Sequence, residues 1–86
     1  MKTIHKYHLT ENPTELILPH GSTVVCVHEQ NGTPTLWIEI NLNAGAPMEK
    51  TTFRIVGTGG LMKHGNDQYI GTCFIDEFVW HVYKIM

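Results

Sequence analysis

The chain has 86 residues, enough for one small domain and too few for a second. It is 42% hydrophobic and 16% charged, with a formal charge of −2, so it fits neither a disordered tail, a collagen-like repeat nor a disulfide-packed toxin. The longest apolar runs, such as Val24-Val25-Cys26-Val27, fall far short of the ~20 residues of a membrane span, and the polar start Met1-Lys2-Thr3-Ile4-His5-Lys6 does not read as a signal peptide. A soluble, cytoplasmic, single β domain over residues 1–86 is expected.

In chain order, Thr3–Leu9 reads as a strand closed by the turn formers Thr10-Glu11-Asn12-Pro13-Thr14. Glu15–Leu18 is a second, brief strand, stopped by Pro19-His20-Gly21. Ser22–Gln30 and Thr33–Leu42 flank Asn31-Gly32, the dipeptide that best suits a type I′ hairpin because both positions need φ > 0. Pairing outward from that turn sets Val27 opposite Leu36 and Val25 opposite Ile38 on one apolar face, with Cys26 beside Trp37 and Val24 beside Glu39 on the other. Residues 43–50 read as a loop, Thr51–Val56 as a strand, and Leu61–Lys63 as a short extended piece. Gln68–Ile75 and Phe78–Ile85 form a C-terminal hairpin around Asp76-Glu77, which pairs Phe74 with Val79, Cys73 with Trp80 and Thr72 with His81.

No segment carries a sustained helical period, so the fold class is all-β: a small antiparallel barrel or sandwich of six to seven short strands with little or no helix. Its core is expected around Ile4, Leu16, Leu18, Val25, Val27, Leu36, Ile38, Phe53, Ile55, Ile70, Phe74, Val79 and Val82.

Six histidines stand out, since their full protonation would move the formal charge from −2 to +4. His5 and His8 lie three apart on a strand, where they face opposite sides, so a shared metal is not expected. Cys26 and Cys73 have neither a C-x-x-C spacing nor an adjacent base; two reduced, largely buried thiols are expected. Arg54 is the only arginine among six scattered cations, which disfavours tracking of a nucleic-acid polymer but leaves room for one phosphorylated ligand.

Gly57-Thr58-Gly59-Gly60 is either a corner-turning bend or a concave cradle of backbone N–H groups for an anion. Arg54 beside it is either a solvated surface charge or a bidentate grip on phosphate. Trp37 and Tyr69 are either packing aromatics or stacking platforms. His81, set within an apolar strand, is either a hydrogen-bonded structural histidine or a ligand contact. The candidate ligand-binding set is therefore Arg54, Gly57, Thr58, Gly59, Trp37, Tyr69 and His81. No Ser/His/Asp set, carboxylate pair or metal cluster has diagnostic spacing, so catalysis, a metal and a cofactor are not expected.

Several blocks along nearly the whole chain resemble a family of short phage and prophage proteins of unknown function. They are His5-Lys6-Tyr7-His8-Leu9, Leu18-Pro19-His20-Gly21-Ser22, Val25–Gly32 and Leu36-Trp37-Ile38, followed by the more specific ordered series Phe53-Arg54-Ile55-Val56-Gly57-Thr58-Gly59, Tyr69-Ile70-Gly71-Thr72 and Val79-Trp80-His81-Val82-Tyr83. The chain departs from the pattern at Ile75-Asp76-Glu77-Phe78, which lacks glycine, and at its extension past Tyr83. The resemblance implies a phage-derived, all-β, cytoplasmic protein and no particular reaction. By analogy with small phage β-proteins, it suggests stoichiometric binding: sequestration of a nucleotide immune signal by a homo-oligomer, or masking of a host or phage protein. The short chain favours a ligand surface shared between subunits over a deep private active site.

Overall fold

The computed structural model describes residues 1–62 and 65–86. Seven strands follow in order: β1 Lys2–His8, β2 Thr14–Pro19, β3 Thr23–Gln30, β4 Thr33–Asn41, β5 Met48–Gly57, β6 Gln68–Ile75 and β7 Phe78–Lys84. They form two antiparallel sheets, one ordered β1-β4-β3 and the other β2-β5-β7-β6. The sheets stack as an open sandwich, and β3 and β6 run alongside each other where the two meet. The expected all-β class thus holds in its sandwich form.

The core lies between the sheets, where the two-residue period of each strand directs its apolar set. Leu36, Ile38 and Ile40 of β4 meet Leu18 of β2, Phe53 of β5 and Val82 of β7, with Leu9 closing one end. Leu9 and Ile40 belong to this core although the sequence pattern did not single them out. Ile4, Val25 and Phe74 are exposed instead, at 53%, 53% and 68%. For Val25 the reason is a bulge between Val24 and Cys26, which sets Val24 rather than Val25 opposite Ile38 and turns Thr23 toward Glu39. Phe74 pairs with Val79 as expected, but on the outer face, because Cys73 and Val82 take the inward positions.

The β3–β4 turn has φ of +54° at Asn31 and +78° at Gly32, the I′ pattern read from the dipeptide. The β6–β7 turn has a positive φ at Asp76 alone, +55°, as in type II′. Strand β5 starts at Met48, three residues earlier than the pattern suggested, because β2 pairs with it from Thr14↔Phe53 to Pro19↔Met48. Leu61 and Met62 are not in a strand; Lys63 and His64 lie outside the described residues.

Asn12 joins the β1–β2 connection to the four-stranded sheet. Its Nδ2 donates to the Ile55 carbonyl at 2.8 Å and its Oδ1 accepts from the Ile55 N–H at 2.9 Å, so one side-chain amide imitates a strand partner. Asn12→Ala removes both bonds, and chemical denaturation should show a loss of about 1–3 kcal/mol. Asn12→Asp, which keeps the acceptor and loses the donor, should fall between the two.

The expectation of two largely buried thiols holds only for Cys73. Cys26 is exposed, since its position opposite Trp37 on the outer face of the three-stranded sheet leaves it uncovered. Burial pushes the Cys73 thiol above its ordinary value, and the nearby Glu29 carboxylate acts in the same direction. A thiol-reactive dye at mildly alkaline pH should therefore label Cys26 rapidly and Cys73 only after unfolding; mass spectrometry of digested protein separates the two.

Candidate ligand-binding site between the sheets

At the end of the sandwich where β2 finishes and β5 begins, the sheets leave an open cavity of about 520 Å³. Its floor consists of core side chains, among them Leu18, Ile38 and Phe53. That volume falls within the range of small-molecule sites, which are concave, apolar at the bottom and polar at a few fixed points.

Those polar points follow from strand alternation. Along β7, Trp80, Val82 and Lys84 share one face, and Val82 is fully buried, so the period carries Lys84 to the inter-sheet side at the cavity wall. Lys84 lies between Phe53 of β5 and Gln68 of β6 in the ladders. It makes no ion pair among the described residues. Just past the end of β2, His20 Nδ1 donates to Glu49 Oε1 at 2.7 Å, which leaves Nε2 as the ring's other polar atom. Ser22, Thr51 and Gln68 add hydroxyl and amide groups, and Tyr69 lines the cavity with 54% of its surface exposed. The arrangement suits an anion attached to an apolar or aromatic body.

The residues singled out in the sequence fall into three places. Arg54, Thr58, Tyr69 and His81 come together on the outer face of the four-stranded sheet, through the pairs Arg54↔Tyr83, Tyr69↔Tyr83, Val56↔His81 and Thr72↔His81. Thr58 Oγ1 contacts His81 Nε2 at 2.9 Å, His81 Nδ1 contacts Thr72 Oγ1 at 3.0 Å, and Thr72 Oγ1 contacts the Tyr69 hydroxyl at 2.5 Å. Tyr69 meets Tyr83 edge to face at 5.5 Å. Arg54 Nη1 donates to Asp67 Oδ2 at 3.1 Å, with the carboxylate side chain 2% exposed and the guanidinium side chain 24%.

Gly57 ends β5, and Gly57-Thr58-Gly59-Gly60 forms the turn after it. There the Thr58 N–H donates to the Val79 carbonyl and the Gly60 N–H to the Gly57 carbonyl, so those two amides serve the bend. Gly59 has φ +88°. Trp37 stands apart from the other candidates, on the outer face of β4 between Lys6 and Cys26. The structure thus unites Arg54, Thr58, Tyr69 and His81 and separates Trp37 from them; of the set, Tyr69 alone also lines the cavity.

Lys84, His20 and Glu49 were not among the candidates from sequence. A usable signal was present for Lys84: a lysine in phase with the apolar positions Trp80 and Val82 sits on the core face of its strand. His20 and Glu49 had no such signal, because their contact depends on the long-range β2–β5 register.

No curated protein and no solved structure matches the chain. A family model described as "Domain of unknown function (DUF7352)" matches residues 1–85, essentially the full length of the described sandwich. The chain belongs to that family.

Proposed function

We propose that this protein is a non-catalytic binding module that holds a small phosphorylated, nucleotide-type ligand in the inter-sheet cavity. The observation that carries the reading is Lys84: a cation on the cavity wall with no carboxylate partner among the described residues, above an apolar floor of ligand size. Lys84 supplies donors for phosphate, and Nε2 of His20 adds one only when the imidazole carries both protons, because Nδ1 is already committed to the Glu49 carboxylate that orients the ring. The apolar floor of Leu18, Ile38 and Phe53 offers a surface for a base. The cavity is open to solvent, so a second copy of the chain closes it, and the working species is a homo-oligomer. A phage origin and action against a host nucleotide signal extend the same reading.

The test is a thermal-shift screen with mononucleotides, cyclic oligonucleotides and ADP-ribose-type compounds, followed by recovery of the ligand after denaturation. A stabilising compound recovered intact is expected, with Lys84→Met weakening binding about tenfold or more at unchanged stability. Absence of any stabilising compound, or a Lys84→Met protein that binds as well as the parent, overturns the proposal; a processed ligand overturns its non-catalytic part.

A second reading rests on exposed apolar side chains. Phe74 at 68% and Leu61 at 91% exposure suit an interface with a host or phage protein. Phe74→Ser and Leu61→Ser should leave ligand binding intact while abolishing any such complex in a pull-down with candidate partners.

A further inference from the structure

The opposite end of the sandwich has a second cavity of different character, about 430 Å³. Leu9, Ile55 and Ile75 line it together with the aromatic pair Phe78 and Trp80. The two rings stack with centroids 6.0 Å apart and planes 30° from parallel. Trp80 is held in place from below by Gly57, where a Cβ would stand 3.2 Å from the indole Cζ3. Glu11 is the one charged residue among the described residues that line this cavity. Its backbone is fixed from both sides: the Thr14 hydroxyl donates to the Glu11 carbonyl at 2.6 Å, and the neighbouring Asn12 side chain is bonded twice to Ile55. Its carboxylate takes part in no ion pair among the described residues.

The surroundings carry the same sign. Residues 9–12, 28–34 and 75–80 contribute Glu11, Glu29, Asp76 and Glu77 and no Lys or Arg, while Arg54, beside the lining residue Ile55, is paired with Asp67 on the outer face. An apolar pit with two aromatic rings, an exposed carboxylate at its mouth and an acidic rim complements a cation whose charge is spread over an alkylated head. The aromatic lining and the rim carboxylate favour a cation, and the apolar floor takes the methyl groups. A bare metal ion would gain little from the aromatic walls, and an anion would be repelled.

We propose that this cavity binds a small alkylated ammonium compound as a free molecule, at a site separate from the anion site at the other end. The reading is independent of the proposed function, and its test uses different probes and variants. The protein is titrated with choline and, in parallel, with 3,3-dimethyl-1-butanol, the neutral compound of the same shape, while amide chemical shifts are followed by NMR. Saturable shifts at Gly32, Ile75 and Trp80 are expected with choline, with affinity at least about tenfold weaker for the neutral analogue.

Glu11 is exposed, so Glu11→Gln should fold normally and lose about tenfold in choline affinity. Phe78→Leu, at a position 57% exposed, provides a second variant with an expected loss in the same direction. Equal binding of the neutral analogue, an unaffected Glu11→Gln protein or non-saturating shifts in the millimolar range overturns the proposal. So does a site that takes a trimethyllysine peptide and refuses choline.

Discussion

Arg54→Ala is expected to lower the unfolding free energy by about 3 kcal/mol, although it removes a side chain on the outer face of a sheet. The cost arises at the partner. The Asp67 carboxylate is 2% exposed and hydrogen-bonded to the guanidinium at 3.1 Å, so truncating the arginine strands a buried anion. Asp67→Ala should cost less, because the freed guanidinium is already 24% exposed and can rotate into water. Arg54→Ala combined with Asp67→Asn should recover most of the loss, since the residue left behind no longer carries charge. Denaturant titrations of the three proteins measure this asymmetry; equal losses in the two single mutants would mean the pair is solvated on both sides. The result also bears on ligand binding, where Arg54→Ala would lower affinity through instability without touching the ligand.

Gly71→Val should have an effect of similar size, about 3 kcal/mol, through packing where the two sheets meet. A Cβ at residue 71 would lie 2.9 Å from Val27 Cγ2 and 3.1 Å from Val27 Cβ, closer than carbon atoms tolerate. No hydrogen-bond ladder joins β3 to β6, so the approach of these strands depends on that close contact. Even Gly71→Ala must push Val27 aside, at about 1–3 kcal/mol, and for a chain of this length each kcal/mol lowers Tm by about 4–8 °C. Val27→Ala introduced beside Gly71→Ala makes room for the new methyl group. The double mutant should then be more stable than the sum of the two single losses predicts, and additive losses would remove the steric explanation.

Strand identity was legible wherever chemistry is local. Asn31-Gly32 located its hairpin and its register as far as Cys26↔Trp37, and the C-terminal hairpin pairs Phe74, Cys73 and Thr72 with the expected partners. Legibility ended where a single residue shifts the phase. The bulge at Val25 reverses which of two adjacent valines is buried, and nothing in Val24-Val25 distinguishes them before the β4 partner is known. Sheet membership was also hidden, because β2 pairs with β5 rather than with its chain neighbours, and only that pairing makes His20 and Glu49 meet. The candidate site therefore emerged in pieces. Arg54, Thr58, Tyr69 and His81 converge because β5, β6 and β7 are neighbours, whereas Trp37, which the hairpin register correctly sets on an outer face, belongs to the other sheet.

The hydroxyl–imidazole chain from Thr58 through His81 and Thr72 to Tyr69 can run in either direction. Each contact of the imidazole is to a hydroxyl, which can donate or accept by rotating one hydrogen. Neutral His81 can therefore hold its proton on either nitrogen, and the three hydroxyls reverse direction to suit. When both nitrogens carry protons, Thr58 and Thr72 become acceptors and direct their own hydrogens elsewhere, Thr72 toward the Tyr69 oxygen. This part of the sheet therefore holds its imidazole firmly without fixing the direction of the hydrogen bonds that hold it.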